Sequence, residues 1–547
     1  MISLEEALTK FEAVIGLEVH AQLLTKTKMF CACPITYGAA PNTQICPVCL
    51  GLPGALPVPN KHAITLAMRA GLSLGCSIRG FSRFARKNYF YPDLSKGYQI
   101  SQFDLPLNEK GALEITTSAG TKTIGITRIH VEEDAAKNLH GMGLGEDTLV
   151  DFNRAGTALI ETVSEPDMRT ADEAEAYLKA LRDIFMFAGI NDGNLEEGSF
   201  RCDANVSIRP IGQEKFGTRA ELKNINSFRF VKKGIEYEIA RQAEILLGGG
   251  KVIQETRTWS STQEKTISMC TKEEAHDYRY FADPDLPPLE ISDAWLAEVK
   301  GSMPEPLQAR RQRWQSELGL TAYDAMVISS HPRIADYFEE ATESLVASSK
   351  LALNVAGPSS SVSLAGPSLS VSLAGPSLSV SLAGPSSSVS LAGLSSSVSP
   401  AGLSLPVSLA GKKTANFILS EVLRFATTSG LEAQFPCSAS RLADLLALVE
   451  DETINGKIAK DVFAEMVTSG KAPKVIIDQK GLAQVKDTGA IEASIREVLT
   501  KHPKELASFK AGKVTLKGFF VGQVMRALKG ANPKLLNDTL DAILAEP

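Results

Sequence analysis

The chain has 547 residues, 44% of them hydrophobic, and a formal net charge of −6 from 57 basic and 63 acidic side chains. This length predicts about three domains, and the near balance of charge gives no global signal for a nucleic acid or a membrane surface. No apolar run approaches the roughly 20 residues of a membrane helix, and the acidic N-terminus differs from a secretory signal, so we expect a cytoplasmic protein without membrane contact.

Acidic residues recur on four strand-like segments in the first part of the chain: VIGLEVH (14–20), RIHVEEDAAK (128–137), LIETVSEPD (159–167) and RCDANVSIRP (201–210). Side chains alternate between the two faces of a strand, so Glu18 shares a face with His20, and His130 shares one with Glu132. Several packed carboxylates repel one another and are costly to bury. A hard divalent cation such as Mg²⁺, which keeps positions open for phosphate oxygens, removes that cost.

For any single acid the alternative is an ion pair with a nearby base such as Arg128, Lys137 or Arg154. Recurrence on four segments favours a metal–phosphate site over isolated ion pairs.

Four of the eight cysteines form two close pairs, Cys31 with Cys33 and Cys46 with Cys49. Two such pairs across a short loop can close a tetrahedral Zn²⁺ site. Disulfides are the alternative, which a reducing compartment disfavours. A closed four-thiolate site leaves no position for a substrate, so the predicted zinc is structural.

Residues 1–290 combine strand-like alternation with many glycines and prolines, which predicts a large α+β domain with a mixed or antiparallel sheet. One helix is predicted to begin at Thr170, where Thr170 and Glu173 form a capping box, and to end at Gly189. The pattern becomes helical at 291–346 and again at 412–430, which predicts a helical linker domain over 291–430.

An uncharged segment at 351–411 interrupts this helical domain. Ala-Gly recurs there every nine residues, in units close to AGPSLSVSL. A β-solenoid is the alternative, but the short period and recurrent proline favour a disordered loop that carries no chemistry.

The remaining residues, 431–547, predict an all-helical tail domain. Between Lys501 and Lys534 the sequence has eight lysines and arginines against one glutamate. Such a run could follow a phosphate backbone or could be a solvated lysine-rich face.

Longer motifs connect the chain to a known family. The segments are RKNYFYPDLSKGYQISQFD (86–104), VIGLEVHAQL (14–23), CPVCLGLPGALPV (46–58), HVEEDAAK (130–137), IETVSEPDM (160–168), EEGSFRCDANVS (196–207), ELKNINSF (221–228), QETRTW (254–259), DYRYFADPDLPPL (277–289) and the tail segment 512–540. Together they resemble the B/E subunit family of the aspartyl/glutamyl-tRNA(Asn/Gln) amidotransferases. The resemblance covers nearly the whole chain outside the repeat.

This resemblance implies an ATP-dependent carbon–nitrogen ligase that uses glutamine as its amido donor. Such an enzyme phosphorylates the side-chain carboxyl of Glu-tRNA(Gln) or Asp-tRNA(Asn), and ammonia then displaces the phosphate. An amidase, the A subunit, supplies the ammonia, and a small C subunit completes a heterotrimer. The implied fold is a cradle-like catalytic domain followed by a helical domain and a helical tail that binds tRNA.

The resemblance also implies site residues. The expected Mg²⁺ ligands are Glu18, His20, Glu133 and Glu161, with Glu132 and Asp203 nearby. Lys87 and Lys223 are expected to neutralise charge on ATP or the acyl phosphate. The tRNA phosphates are expected at Lys513, Lys517 and Lys529. Ala85, where the family pattern has an acid, puts the positioning of Lys87 in question.

Two other functions fit parts of the sequence. One is an ATP-dependent ligase for a free amino acid, which would not need the basic tail. The other is a zinc-containing RNA-binding scaffold without catalysis, which would tolerate loss of the acids.

Overall fold

The computed structural model describes residues 2–140, 147–225, 227–271, 278–355, 405–484, 487–510, 512–528 and 532–545. The chain forms two compact units, Met1–Arg310 with Ser429–Glu432, and Arg311–Thr428 with Ala433–Pro547. The division into three domains at 290 and 430 stays a prediction.

The elements up to α5 in the first unit are, in chain order, α1 (Leu4–Leu8), β1 (Phe11–Gln22), α2 (Lys61–Ser73), β2 (Ser77–Ile78), β3 (Phe81–Ser82), β4 (Ala85–Asn88), β5 (Tyr98–Ser101), β6 (Asn108–Thr117), β7 (Gly120–Glu133), β8 (Lys137–His140), β9 (Thr148–Asp151), β10 (Ala158–Ser164), α3 (Ala171–Phe187), β11 (Phe200–Pro210), β12 (Ala220–Ile225), α4 (Phe228–Leu247), β13 (Glu255–Ser260), β14 (Lys265–Thr271), β15 (Phe281–Ala282), β16 (Leu289–Glu290) and α5 (Asp293–Gly301).

The chain continues through α6 (Leu307–Glu317), α7 (Ala322–Ile328), α8 (Pro332–Val355), α9 (Val407–Ser420), β17 (Thr427–Ser429), β18 (Glu432–Gln434), α10 (Ala439–Glu450), α11 (Gly456–Ser469), α12 (Pro473–Lys480), α13 (Thr488–Lys501), α14 (Pro503–Lys510), α15 (Lys517–Ala527) and α16 (Pro533–Leu544). Short 3-10 turns lie at Val422–Arg424 and Val514–Leu516.

A nine-stranded sheet organises the first unit, in the order β14-β13-β12-β11-β1-β10-β7-β6-β2. Its neighbouring strands are antiparallel except for the parallel pair β12–β13. This arrangement confirms the predicted α+β class with a mixed sheet. A helical region and a helical C-terminal part follow the sheet in the chain.

The first strand, β1, lies in the middle of the sheet and separates a core face from a polar face. Its residues Leu17, Val19 and Ala21 are at most 1% exposed and belong to the main hydrophobic core. Helices α3 and α4 pack on the sheet at β6 and β11. Burying an aliphatic side chain of this kind contributes about 1.5–3 kcal/mol, so the core face fixes which side chains of β1 remain on the other face.

Helix α3 confirms the start signal seen in the sequence. The Thr170 hydroxyl accepts the backbone N–H of Glu173 at 3.1 Å, and the Glu173 carboxylate accepts the N–H of Arg169 at 2.7 Å. The helix ends at Phe187, and Gly189 follows with a φ of +65°. These contacts satisfy N–H groups that a helix start leaves without partners.

Both ends of the repeat segment are helical, which corrects the prediction of a disordered loop over 351–411 at those ends. Helix α8 continues to Val355, and α9 begins at Val407. The reason at the second end is packing, because Ala410 is fully buried and Gly411 lies against Leu318. Residues 356–404, which hold most of the repeat, lie outside the described residues.

The helix predicted over 412–430 ends earlier, at Ser420. A 3-10 turn follows, and the chain is then extended at Thr427–Ser429, before Gly430 with a φ of +56°. The β-branched Thr427 and Thr428 favour this extended backbone over a helix.

Candidate functional site

Strand register places a row of charged side chains on the polar face of the sheet. His20 on β1 lies opposite Glu161 on β10 and opposite Arg201 on β11. Glu161 in turn lies opposite His130 on β7, and Glu132 is two residues further along that strand. Because residues paired across antiparallel strands point to the same face, side chains from four strands meet there.

We call His20, Glu132 and Glu161 the carboxylate cluster. The Nε2 atom of His20 is 3.3 Å from a carboxylate oxygen of Glu161 and 3.7 Å from one of Glu132. One ligand atom from each residue lies within 4.8 Å of the others. The Nε2 atom of His130 is 3.5 Å from Glu161 and 3.6 Å from Glu132, and its buried Nδ1 has no hydrogen-bond partner among the described residues.

These donors fit a divalent cation. Two carboxylates supply the hard oxygen ligands that Mg²⁺ prefers, and one imidazole nitrogen completes a three-ligand set beside an open cavity. An imidazole donor also suits Mn²⁺, so the chemistry of the set fits either ion.

The charges of the cluster depend on one another. Burial alone would raise the pKa of Glu161, but the imidazoles of His130 and His20 outweigh it and hold that pKa well below its ordinary value. Burial also opposes charge on His20, yet Glu161 and Glu132 raise the pKa of its imidazole to about 9. The cluster therefore holds a proton on His20 at neutral pH. A metal ion would displace it, because an imidazole ligand must be neutral.

Basic side chains line the same cavity, which has a volume of about 520 Å³; the cavity is bounded by His20, Lys87, Glu132, Glu161, Arg201 and Lys223 among others. Burial opposes the charge of Lys87, but Glu132 and neighbouring groups outweigh it and raise the pKa of this lysine. Its Nζ atom lies 4.9 Å from the ring centre of Tyr278. Lys87 is therefore a cation held beside two carboxylates of the cluster.

Two further cations are held by acids. Lys223 on β12 donates to Asp203 at 2.8 Å and lies 3.1 Å from Glu221. These acids outweigh the effect of burial and raise the pKa of Lys223 well above its ordinary value. Arg201 forms a 2.9 Å ion pair with Asp134. An anionic substrate in the cavity would meet three charged donors of the protein.

Three residues predicted for the metal site lie outside the carboxylate cluster: Glu18, Glu133 and Asp203, of which Asp203 pairs with Lys223. Glu18, two residues before His20, accepts a 2.9 Å hydrogen bond from Asn205; burial, helped by Glu161 and Asp203, raises its pKa. Glu133 forms an ion pair with Lys96 and accepts the backbone N–H of Ile100 at 3.0 Å. The structure thus brings Glu132 to His20, while it gives Glu133 other partners.

The substitution Ala85 leaves neighbouring Arg86 well paired. The Arg86 guanidinium binds Asp283 at 2.8 Å and Asp285 at 2.7 Å. Ala85 itself is buried in strand β4, with an exposed fraction of 3%. The two aspartates supply the negative charge that Ala85 does not.

We call Cys31, Cys33, Cys46 and Cys49 the cysteine cluster. One sulfur from each lies within 4.8 Å of the others, and all four are free thiols. The two sulfurs of Cys46 and Cys49 are 3.9 Å apart, which excludes a disulfide between them, since that bond is about 2.05 Å long. A hydrogen bond from Cys31, aided by the backbone of Cys46 and by Lys28, lowers the pKa of Cys49 to about 4 despite its burial. The cluster thus fits a metal bound by thiolates.

The basic tail residues have different surroundings. Lys517 forms an ion pair with Asp541 at 2.6 Å, whereas Lys513 is exposed. Lys529 lies outside the described residues. No helix in the described ranges is long and apolar enough to cross a bilayer.

Sequence reasoning missed Arg201, Gln22, Asp134 and Lys96. Alternation could have found the first two, because Arg201 lies two residues before Asp203 and Gln22 two residues after His20. Asp134 follows the end of β7 and accepts a 2.8 Å hydrogen bond from Gln22. Lys96 lies on a connection between strands, where no periodicity indicates its direction.

Comparisons with known proteins agree with this architecture. A family model described as the GatB/GatE catalytic domain matches residues 13–297, and one described as the GatB domain matches residues 407–544.

Similar curated relatives include the B subunit of the aspartyl/glutamyl-tRNA(Asn/Gln) amidotransferase of Geobacter sp. (strain M21). It is 52% identical over 97% of this chain and 98% of its own length. The proteins of the same name from Geotalea uraniireducens (strain Rf4) and Myxococcus xanthus (strain DK1622) are 51% and 47% identical, over 97% and 98% of this chain and 98% and 99% of their own lengths. The chain belongs to the family of the aspartyl/glutamyl-tRNA(Asn/Gln) amidotransferase B subunits.

Proposed function

We propose that the chain activates and amidates the side-chain carboxyl of Glu-tRNA(Gln) or Asp-tRNA(Asn), as the B subunit of a tRNA-dependent amidotransferase. The observation that carries the proposal is the cavity that joins the carboxylate cluster to Lys87, Arg201 and Lys223. A cavity with a candidate cation site and several cations suits a reaction between two anions, ATP and a carboxylate.

In this proposal His20, Glu132 and Glu161 hold Mg²⁺, which when bound neutralises phosphate charge. Lys87 and Lys223 donate to anionic oxygens of ATP and of the substrate carboxylate. Arg201 is placed to do the same from the neighbouring strand. These donors orient the γ-phosphate toward the carboxylate and stabilise the charge that spreads over it during transfer.

The reaction needs no nucleophile from the protein. A carboxylate oxygen of the aminoacyl group takes the γ-phosphoryl group and releases ADP, and ammonia then attacks the acyl carbon and expels phosphate. The cysteine that lines the cavity, Cys202, is poorly suited to attack because burial raises the pKa of its thiol well above the ordinary value.

The remaining parts have supporting roles in the proposal. Zn²⁺ in the cysteine cluster is structural, because four thiolates close its coordination. An amidase, the A subunit, delivers ammonia, and a small C subunit completes the heterotrimer. Lys513, Lys517 and Lys529 of the tail bind tRNA phosphates. We expect the complex to act in the cytoplasm, with translation.

The test is an amidation assay of the chain with its partner subunits, ATP, glutamine and mischarged tRNA. Formation of Gln-tRNA or Asn-tRNA that requires His20 would support the proposal. Equal ATP cleavage with free glutamate or aspartate in place of the mischarged tRNA would instead support a ligase for free amino acids. RNA binding without any ATP cleavage would support the scaffold alternative.

A further inference from the structure

The buried acid Glu133 has contacts that the proposed reaction does not use. It is 3% exposed, and its carboxylate is held by Lys96 and by the N–H of Ile100. Its backbone carbonyl accepts a 2.7 Å hydrogen bond from the side chain of Gln99. The segment 96–100, which leads into strand β5, therefore binds both the side chain and the main chain of the residue that follows Glu132.

The residues just before β5 also contact the cysteine loop. The Ser95 hydroxyl donates to the carbonyl of Cys49 at 2.8 Å. Gly51, with a φ of +67°, lies so close that a Cβ there would be 2.6 Å from a side-chain carbon of Lys96. The cysteine loop thus packs directly on the backbone and side chain of Lys96.

A second route joins the cysteine cluster to Glu133 at Gly156. A Cβ at this glycine would lie 3.5 Å from Lys28, 3.6 Å from Cys49 and 3.8 Å from the Glu133 carboxylate. Lys28 is fully buried and donates to the carbonyl of Phe152 at 3.2 Å. The buried Lys28 therefore lies beside Cys49, and the largely buried Lys96 lies beside Glu133.

We infer that Lys96 and Glu133 are positioning residues, through which the metal-bound cysteine cluster fixes the end of β7 and so holds Glu132 against His20 and Glu161. This inference rests on the proposed role of the carboxylate cluster. Glu133 acts from the far side of the strand, since consecutive residues of β7 point to opposite faces. A bound metal fixes the cysteine loop, the loop fixes Lys96, and Lys96 fixes Glu133.

The test measures Mn²⁺ binding to the carboxylate cluster by electron paramagnetic resonance, using the full chain with its partner subunits. We expect Glu133→Gln and Lys96→Met to raise the Mn²⁺ dissociation constant roughly 10- to 100-fold, as loss of a group that orients a metal ligand does. Zinc content and binding stoichiometry should remain those of the unmodified chain. In Glu132→Gln and His20→Ala, Mn²⁺ binding should instead be lost.

The two substitutions should not add, because each removes the same ion pair; the double variant should resemble the single ones. Lys122→Met is the matched control, since it removes an ion pair with Glu173 at the other end of β7. Its Mn²⁺ affinity should be unchanged. Ser95→Ala, a milder change that keeps the fold, should raise the dissociation constant by a smaller factor.

Three results would overturn the inference. Unchanged Mn²⁺ affinity in Glu133→Gln and Lys96→Met would show that the pair does not position the cluster. Complete loss of binding in Glu133→Gln alone, equal to that in Glu132→Gln, would make Glu133 a ligand. Mn²⁺ binding that does not depend on His20 would refute the proposed site itself, which separates this failure from the other two.

Discussion

The cysteine cluster takes all its ligands from residues 31–49, whereas the carboxylate cluster takes one ligand from each of three strands that lie far apart in sequence. The first is set by the spacing of residues along one loop, and the second by the register of β1, β7 and β10. Local spacing makes a site that the sequence reveals directly. A site made by register depends on the whole sheet, and its ligands become neighbours only when that sheet forms.

The largest effect of a substitution is expected at the carboxylate cluster. Glu161→Gln keeps the shape of the side chain but removes a charge that His20 and His130 contact. We expect ATP cleavage in the presence of mischarged tRNA to fall roughly 100-fold or more, because charge stabilisation in the transition state is lost. Binding of tRNA should persist, as measured by filter retention.

Glu109→Gln serves as the control, because Glu109 lies in the same sheet and pairs with Arg79 at 2.8 Å outside the cavity. It should leave the rate unchanged. Near-normal ATP cleavage in Glu161→Gln would contradict the proposed site.

At the cysteine cluster we expect substitutions to remove the bound metal and to lower the stability of the fold. The double substitution Cys46→Ser/Cys49→Ser removes half of the ligands, so bound zinc should fall from about one ion per chain to none, and the thermal midpoint should fall with it. Metal analysis and a thermal melt measure both. Cys437→Ser, which changes a cysteine outside the cluster, should keep the zinc, and full zinc in the double variant would contradict the assignment.

These two clusters differ in how far the sequence could predict them. Alternation correctly placed Glu18 with His20 and His130 with Glu132, but it could not say which strands are neighbours. The choice of Glu18 and Glu133 as ligands, taken from family resemblance, stays a prediction, and the structure gives both side chains other partners. Glu132 faces His20, while its neighbour Glu133 faces Lys96.

For the fold too, the sequence predicts local elements but not the contacts between distant segments. Capping at Thr170 and Gly189 located helix α3, because those signals are local. The order of the nine strands depends on contacts between distant segments, which no single segment encodes. The burial of Ala410, which lengthens α9 into the repeat, is also a tertiary effect.

The lysines of the tail belong to neither cluster, and their predicted role is to bind tRNA phosphates. Changing Lys513, Lys517 and Lys529 to alanine should weaken tRNA binding and lower the slope of log K against log salt by roughly 0.7 to 0.9 for each lost phosphate contact. Lys513→Ala should have a larger effect than Lys517→Ala, because Asp541 already neutralises Lys517.

Asp541→Asn should strengthen binding by freeing Lys517. Lys460→Ala is the matched control, since Lys460 pairs with Glu421 in the same unit and outside the basic run. A salt slope unchanged in the triple variant would mean that these lysines are a solvated face.

The smallest effect is expected from the repeat, which has neither ligands nor charges. Deletion of 356–404, which keeps the helical ends Val355 and Val407, should change the free energy of unfolding by less than about 1 kcal/mol, because loop length alone costs little. A Gly/Ser linker of the original length is the control. A large drop in thermal midpoint or turnover would show that the repeat contributes to the fold.

The central place of β1 has a consequence for how the chain is made. Strand β1 is synthesised before its partners β10 and β11, which begin only at Ala158 and Phe200. At about 5–20 residues per second, synthesis of the intervening chain takes on the order of ten seconds or more. During that time an apolar strand with two open edges has no native partner. Until β10 and β11 are made, the open edges of β1 are exposed to aggregation.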